Sequence, residues 1–519
     1  MRASFWCLFL ILAGCRSHTT SLEDEARSAR ELLRSEDYDQ ALTKAGDGLQ
    51  RATQSGDRKF EWRFRLLKAE ILLARRDISQ AAAVLNTAPP EGPAWTELRG
   101  RSDLLQAQVA YFSRDYARAN TLLEKAADAA RETGSGTLAA EVELRRGALL
   151  IRLSHLDRAE AVFRRVIESA ARLHDPYLAG SATGNLGYLL LSASRYDEAI
   201  PWFEKARALF AGLGAADSIA RADGNLGSCY LRLGDFDNAR RLFEQSQAGF
   251  AKTGNRYEQQ VRIGAAGEVS LETADYSAAA AAFRRALAIT RGLPAGLGSP
   301  WTARWLSNLA QTEIELGHWD AAEKENDEAL ALKRKLPETG SEVYSIYNAA
   351  RIAAARRRFA DAEKLFAQAL REPAEDPTVL LDTQAGLADL YLKTKRPRNA
   401  DAEFRSAVAA IDRRSASLLK DEYKFSYLAS LIHFYKAYVG FLMANNRPLQ
   451  ALEVAESSRS RVLAARSGQL QSIERRTAAD YRTVAREANA ALLEYWIGEK
   501  QSYLWVVTAD RIRWVPLPA

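Results

Sequence analysis

The chain has 519 residues, of which 47% are hydrophobic, and its 72 basic and 66 acidic residues give a net charge of +6. Basic and acidic residues are interleaved without a basic face, which argues against nucleic acid as a partner. The 14 prolines are too few for long disordered linkers, so most of the chain is expected to be ordered.

The amino terminus has the pattern of an export signal. Arg2 is basic, an apolar run extends from Phe5 to Ala13, and Leu12-Ala13-Gly14-Cys15 supplies small residues for cleavage. The tetrapeptide resembles a bacterial lipobox. The resemblance implies a signal peptide at residues 1–14, lipidation of Cys15 and a lipidated tether at residues 15–21. An ordinary signal peptide, or a short anchor that ends in cysteine, is the alternative.

This resemblance also implies a location. The mature chain would be held in the bacterial cell envelope by its acyl chains, facing the periplasm, since several acyl chains are enough for stable anchoring. Arg16 follows the cysteine, at the place where aspartate retains enterobacterial lipoproteins on the inner membrane. The outer membrane is therefore favoured over the inner one.

Residues 22–467 contain an internal repeat. Around Ala199, the segment Asn185 to Tyr188 predicts a first helix, Arg195 to Glu198 a turn, and Ala199 with Phe203 the start of a second helix. A period of this length is typical of stacked helix pairs. The alanines that mark the repeat, mostly about 40 residues apart, are Ala41, Ala81, Ala119, Ala159, Ala199, Ala239, Ala279, Ala322, Ala362, Ala400 and Ala451.

Two further positions recur with the alanine. A small residue twelve positions before it is expected to let the paired helices cross closely, and an aromatic residue four positions after it is expected to fill the gap to the next repeat. Asn225-Leu226-Gly227, Tyr230, Ala239 and Phe243 resemble the tetratricopeptide repeat signature. The resemblance implies an all-α superhelical solenoid of about eleven helix pairs with a concave groove. The recurring residues are Gly147, Gly187, Gly227 and Gly267, then Phe163, Phe203, Phe243, Phe283, Phe366 and Phe404.

Some repeats depart from the pattern. Gly48 lies late in a second helix, Asn326 replaces the aromatic residue, and Val439 replaces the small one. Those repeats are expected to be distorted or to act as caps. The usual repeat has about 34 residues, so the longer period predicts longer helices or loops, as in the variant that resembles kinesin light chain repeats.

The groove supplies the candidate binding residues. An asparagine stands two positions before the small residue in four first helices, and its amide can both donate and accept hydrogen bonds to an extended peptide main chain. This resembles the peptide-holding asparagines of kinesin light chain and carboxylate-clamp repeats; helix capping or ordinary surface polarity is the alternative. Three nearby arginines are expected to receive acidic side chains of the ligand. The residues are Asn185, Asn225, Asn308, Asn348, Arg221, Arg304 and Arg351.

The last part of the chain has a different composition. Residues 468–490 are interpreted as a helical linker, and residues 491–519 contain three short runs of aromatic and β-branched residues that predict an antiparallel meander. The runs are Leu492 to Ile497, Ser502 to Thr508 and Ile512 to Val515. With the Ala-Glu-Ser-Ser-Arg helix at residues 455–459, they resemble the start of a CHAT domain, a caspase-like module. In complete members the catalytic His and Cys lie beyond these strands, so the resemblance carries no catalytic residue to this chain.

The rest of the sequence offers no catalytic constellation. The histidines are single, and there is no metal-ligand spacing, glycine-rich phosphate loop or nucleophile elbow. Cys229 is interpreted as a packing residue. The sequence predicts a protein that is not an enzyme and uses no cofactor or metal.

We therefore expect an envelope-anchored scaffold of the tetratricopeptide type that binds a protein or an extended peptide. The alternative is the sensing portion of a CHAT-type protease whose catalytic half is encoded separately and completes the sheet by strand addition; a remnant of a degenerate gene would give the same tail. A structural lipoprotein of outer-membrane assembly is a third class, and it predicts no use for the strands.

Overall fold

The computed structural model describes residues 21–293, 295–335, 342–372, 378–417, 427–428, 431–467, 476–498 and 501–517. The chain divides into two compact units. The N-terminal unit comprises the residues up to Leu178 together with Leu213–Ala215, and the C-terminal unit comprises Ala179–Gly212 and the residues from Ala216 onward. The predicted signal peptide, Cys15 and the predicted tether up to residue 20 lie outside the described residues.

The N-terminal unit is built from helices that alternate as first and second members of pairs. A short 3₁₀-helix, Pro93–Trp95, precedes α5. The helices are α1 Leu22–Arg34, α2 Tyr38–Ser55, α3 Arg58–Ala74, α4 Ile78–Val84, α5 Thr96–Phe112, α6 Tyr116–Thr133, α7 Gly136–Arg152 and α8 Leu156–Arg172, and the first residues of α9, Pro176–Ser192, belong to the same unit.

The C-terminal unit continues the alternation and ends in three strands. With α1 to α9, the described residues contain eleven helix pairs followed by one further helix, α23, so the predicted architecture is confirmed. The elements are α10 Tyr196–Ala211, α11 Ala216–Arg232, α12 Phe236–Thr253, α13 Arg256–Glu272, α14 Tyr276–Thr290, α15 Ala295–Glu315, α16 Trp319–Lys335, α17 Val343–Ala355, α18 Phe359–Ala369, α19 Thr378–Lys393, α20 Pro397–Ser417, α21 Ile432–Ala444, α22 Pro448–Ser467, α23 Ala478–Glu487, β1 Leu492–Trp496, β2 Ser502–Val507 and β3 Ile512–Leu517.

The repeating alanine lies in the first turn of each second helix. All eleven alanines are at most 1% exposed. A side chain larger than a methyl group would force the helices apart, because protein interiors are close-packed. This explains the period of the sequence.

In four first helices the small residue is a glycine that contacts the phenylalanine of its own repeat. A Cβ atom added to Gly147 would lie 2.5 Å from Phe163, and Gly187, Gly227 and Gly267 have the same relation to the phenylalanines sixteen residues later. The rings also reach the next repeat, as expected: Phe283 stacks on Trp305 of α15 with ring centroids 6.1 Å apart, and Phe243 shares a core with Ala265 and Val269 of α13. Phe366 likewise packs on Gly386 of the next repeat.

The departures from the pattern are accommodated locally. Gly48 of α2 takes up the ring of Phe64 from α3, at 2.3 Å from a Cβ placed on the glycine. Asn326 is 1% exposed and donates from Nδ2 to the carbonyl oxygen of Ser345 at 3.0 Å. Val439 is fully buried among the last helices.

The turn inside each pair has one fixed conformation. The residue five positions before the alanine has a positive φ in all eleven pairs, although it is glycine only at Gly234 and Gly317. The left-handed residue lets the last carbonyls of the first helix accept hydrogen bonds from the turn. In one example Glu36 N–H donates to Leu33 O and Asp37 N–H donates to Leu32 O. The Asp37 side chain then caps α2 by accepting from Gln40 N–H.

The three strands form the predicted antiparallel sheet in the order β1-β2-β3. Its inner face packs on the last helices, where Trp496, Trp505 and Val507 join a hydrophobic core that also contains residues of α17 to α23. Trp505 Nε1 donates to Pro448 O at 3.0 Å. Within the described ranges, no helix has the length and apolar character needed to cross a membrane.

Candidate peptide groove and terminal sheet

The structure divides the four predicted asparagines into two kinds. Asn185 on α9 and Asn225 on α11 are half-buried, and neither amide makes a hydrogen bond to any described residue. Asn308 on α15 is also half-buried, but its Nδ2 donates to Glu268 at 3.0 Å. Asn348 on α17 is fully buried. The two free amides belong to successive repeats and occupy the same position in their helices.

The predicted exposure of Asn348 is wrong. Its Nδ2 donates to Ser307 O at 2.9 Å, and the hydroxyls of Ser307 and Ser345 lie 2.8 Å apart. Asn326 donates to the same segment, at Ser345 O. Because Asn326 is shorter than the phenylalanine of other repeats, polar groups of α15, α16 and α17 meet in the core and hold Asn348 inside.

Arg304 is paired within the chain. Its Nε and Nη2 donate to Glu268 Oε1 at 3.1 and 2.7 Å, and its guanidinium stacks over Trp301 and Trp305. Glu268 lies on α13, one repeat earlier, so this ion pair joins neighbouring first helices. A ligand carboxylate would have to compete with Glu268 for this arginine.

Arg351 has the same arrangement one repeat later. Its Nη1 donates to Glu315 Oε1 at 2.6 Å, and its guanidinium lies over the ring of Tyr347. Glu315 is on α15 and Arg351 on α17, so first helices are again joined. Whether these residues bind a ligand stays a prediction.

Arg221 lies on α11 close to the buried guanidinium of Arg262. Burial lowers the pKa of Arg262, and the charge of Arg221 lowers it further, while Glu258 opposes both effects. Arg262 Nη2 donates to Glu258 Oε2 at 3.2 Å. Two cations thus lie near Glu258, while α11 also carries the buried carboxylates Asp217 and Asp223.

Two glycines that accommodate large side chains between first helices were not predicted from the sequence. A Cβ atom on Gly224 would lie 2.4 Å from Arg262 Nε, and one on Gly264 would lie 2.4 Å from Trp305. Trp305 Nε1 donates to Gln260 Oε1 at 2.6 Å. The signal was present, since each glycine stands three residues before the small residue of its repeat, in Gly-x-x-Gly.

The terminal sheet is joined to α22 by a carboxyl pair. Arg459 Nη1 lies 2.8 Å from Glu456 Oε1 and 3.2 Å from Glu494 Oε2, and its guanidinium stacks over Trp496. Burial raises the pKa of Glu456 to about 7, and the hydrogen bond and charge of Glu494 act in the same direction. Protonation of Glu456 is thereby favoured at the contact between helix and sheet.

The outer face of the sheet is uncovered. Leu493, Tyr495 and Val515 are 53%, 50% and 48% exposed. Side chains alternate along a strand, and the register places Leu493 opposite Val506 and Tyr495 opposite Leu504. Both faces of this sheet are therefore apolar.

The remaining reactive side chains do not form a catalytic site in the part of the chain that is described. Cys229 is fully buried, and burial together with the charge of Asp197 raises its pKa, which disfavours the thiolate. His318 Nδ1 lies 2.7 Å from Glu313 Oε2 at a turn. No group of three or more His, Cys, Asp or Glu side chains in the described ranges could hold a metal ion.

Three family models, each described as a tetratricopeptide repeat, match the sequence. One matches residues 178–252 and again 218–292, another residues 27–94 and the third residues 302–336. These matches include neither the lipobox nor the CHAT-like strands, and they support neither resemblance. A comparison with curated proteins finds no match.

The chain is similar to three solved structures, of which one reaches a TM-score of 0.50. The chain is similar to the apo form of the quorum sensor NprR from B. thuringiensis, with 13% identity over 69% of this chain and 99% of that chain and a TM-score of 0.50. NprR in complex with its cognate peptide NprX shares 12% identity over 69% and 97%, with a TM-score of 0.49. A Rap protein complexed with competence and sporulation factor shares 13% over 76% and 98%, with a TM-score of 0.48.

Proposed function

We propose that this chain, which is a tetratricopeptide-repeat protein, is a non-catalytic scaffold that binds an extended peptide segment of a partner protein through Asn185 and Asn225. One observation carries the proposal: these two amides occupy equivalent positions in successive first helices and make no hydrogen bond to a described residue. Asn308 and Asn348 are excluded from this role, because their amides already serve contacts within the chain.

The chemistry favours a peptide main chain as the ligand. An amide side chain has two donor hydrogens and one acceptor oxygen, which match the C=O and N–H of one peptide unit. Two such amides bind an extended segment at two places without requiring particular side chains.

The test separates main-chain from side-chain recognition. Peptides are selected from a random decapeptide display library on the intact purified protein, and their affinities are measured by fluorescence anisotropy. Asn185→Ala with Asn225→Ala is expected to weaken binding at least tenfold, and N-methylation of one main-chain amide of the peptide is expected to weaken it similarly. Asn308→Ala is the matched control. Selected peptides that bind the double variant with unchanged affinity contradict the proposal.

Envelope attachment is the second part of the proposal. It is supported by the apolar run that meets Leu12-Ala13-Gly14-Cys15, because that order of segments is typical of export signals and the tetrapeptide resembles a lipobox. A lipid anchor would leave the helical array outside the bilayer, consistent with the absence of a spanning helix in the described ranges.

A second candidate function is favoured by the terminal sheet. The inner face of the sheet packs on the last helices, but β1 and β3 are edge strands among the described residues, and a separately encoded CHAT remainder would pair with one of them by strand addition. The chain would then be the sensing portion of a CHAT-type protease. The third class, a structural lipoprotein of outer-membrane assembly, has no specific observation in its favour.

A further inference from the structure

We propose that the outer face of the terminal sheet is the docking surface for an amphipathic α-helix of a partner protein, and that this helix carries a carboxylate opposite Arg513. The outer face is formed by Leu493 and Tyr495 of β1, Leu504 and Val506 of β2, and Arg513 and Val515 of β3. This inference does not depend on the asparagine groove.

The two faces of the sheet are similarly apolar but differ in exposure. On the inner face, Trp496, Trp505 and Val507 are at most 3% exposed against the helices. On the outer face the corresponding positions are equally apolar, yet Leu493 and Tyr495 are about half exposed. Antiparallel sheets that keep one face in water carry polar residues there, whereas strands that are apolar on both faces belong to sheets covered on both sides. The outer face therefore lacks its cover.

The width and length of the outer face match those of one α-helix. Neighbouring strands lie about 4.8 Å apart, so three strands present a surface about 10 Å wide, which is the diameter of one α-helix. The strands have five or six residues, or roughly 17 to 20 Å. A helix of about 12 residues spans that length. Strand addition at an edge would extend the sheet and leave this face exposed.

The outer face also carries one cation, Arg513. The register aligns Leu493, Val506 and Arg513 in one row and Tyr495, Leu504 and Val515 in the next. Arg513 is exposed, is the sole charged residue in these two rows, and forms no ion pair with a described carboxylate. A helix that covers the apolar rows brings its own residues next to this cation. A carboxylate at the end of the helix's apolar stripe that lies nearest Arg513 would form an ion pair with this arginine.

The experiment selects the helix directly. A phage library displays 14-residue peptides in which leucines are fixed at helical spacing and the other positions are randomised. Peptides are selected for binding to the intact protein, and those that also bind the Leu493→Ser, Val515→Ser double variant are removed. Enriched peptides are expected to carry Asp or Glu at one end of the stripe and to bind the double variant at least tenfold more weakly. The Arg513→Glu variant keeps the apolar rows and is expected to select Lys or Arg at that place.

Several results would overturn the inference. The inference fails if no peptide is enriched, or if the enriched peptides show no preference for Asp or Glu. It also fails if the Arg513→Glu variant selects peptides with the same preference as the unmodified protein. Self-association of the purified chain that Leu493→Ser abolishes would assign the face to a second copy, and binding to phosphatidylglycerol vesicles that Leu493→Ser abolishes would assign it to lipid. The Asn185→Ala, Asn225→Ala variant is expected to bind the selected helices normally, so failure here and failure of the groove proposal are distinguishable.

Discussion

Gly224 and Arg262 share one contact between neighbouring first helices: a Cβ atom on Gly224 would lie 2.4 Å from Arg262 Nε. Arg262 cannot move aside cheaply, since it is buried and bonded to Glu258 and its guanidinium lies 6.0 Å from the centre of the Phe250 ring. Gly224→Ala is therefore expected to destabilise the protein by about 1 to 3 kcal/mol, the usual cost of overpacking, measured by urea denaturation.

Gly184→Ala is the matched control. Gly184 occupies the same position of the preceding repeat, but the nearest atom to its Cβ would be Ala206 Cβ at 3.7 Å, an ordinary contact. Alanine is favoured over glycine inside a helix by about 1 kcal/mol, so this variant is expected to be neutral or more stable. A loss of stability at position 184 equal to that at 224 would show that the seat for Arg262 is not the cause.

Some contacts of the fold could be predicted from the sequence, and others could not. The alanine period and the positions of the small and aromatic residues were readable, because each recurs at a fixed spacing within one repeat. The contact of the glycine with the phenylalanine of its own repeat was not predicted. The burial of Asn348 was not, since it depends on Asn326, whose short side chain admits a polar cluster from three helices. The pairing of Arg304 with Glu268 was also missed, because sequence alone gave no rotation between adjacent first helices.

The turn inside each pair gives a second prediction. Ala274 has a φ of +60°, where a Cβ atom costs roughly 1 to 2 kcal/mol. Ala274→Gly is expected to stabilise the protein by about 1 kcal/mol, because glycine adopts this conformation without strain. Ala281→Gly, the same substitution at an exposed position of α14, is expected to destabilise it by about 0.5 to 1 kcal/mol. Thermal melts that shift in the same direction for both variants would contradict this explanation.

The contact of the sheet with α22 is expected to depend on pH. The pKa of Glu456 is raised from 4.5 to about 7, mainly by burial and then by Glu494. The folded state thus holds this proton more tightly than the unfolded state, so its contribution to stability is complete below about pH 4.5 and is lost as the pH rises through 7. Hydrogen exchange of β1 and β2 is expected to speed up relative to the helices across that interval.

Glu456→Gln tests the assignment. Glutamine resembles the protonated carboxyl group and does not titrate, so the relative protection of the strands should become nearly independent of pH between 4.5 and 7. Asp480→Asn is the control, because Asp480 caps α23 and its pKa is lowered by hydrogen bonds from the backbone and side chain of Thr477. A pH dependence that survives Glu456→Gln assigns the titration to another group.

Lipidation is tested at Cys15. The Cys15→Ala variant is expected to incorporate no radiolabelled fatty acid and to accumulate as unprocessed precursor, because the lipobox cysteine accepts the lipid before cleavage. Cys229→Ala is the control, since its thiol is buried and should not be acylated. Labelling and membrane fractionation that persist in Cys15→Ala would remove the lipoprotein interpretation.

Deletion of residues 491–519 distinguishes the two candidate functions. The sheet contributes Trp496, Trp505 and Val507 to the last core, so its removal is expected to destabilise the last helices while far-ultraviolet circular dichroism shows the helical array retained. A peptide-binding scaffold should keep its affinity for peptides that require Asn185 and Asn225, because those residues lie on α9 and α11. The sensing portion of a split protease should instead lose association with a purified, separately encoded CHAT-like product.

Peptidase activity of the purified chain is expected to be absent with or without the deletion, since the buried Cys229 thiol resists ionisation. Hydrolysis that copurifies with the chain and disappears in Cys229→Ala would show that the scaffold interpretation is wrong.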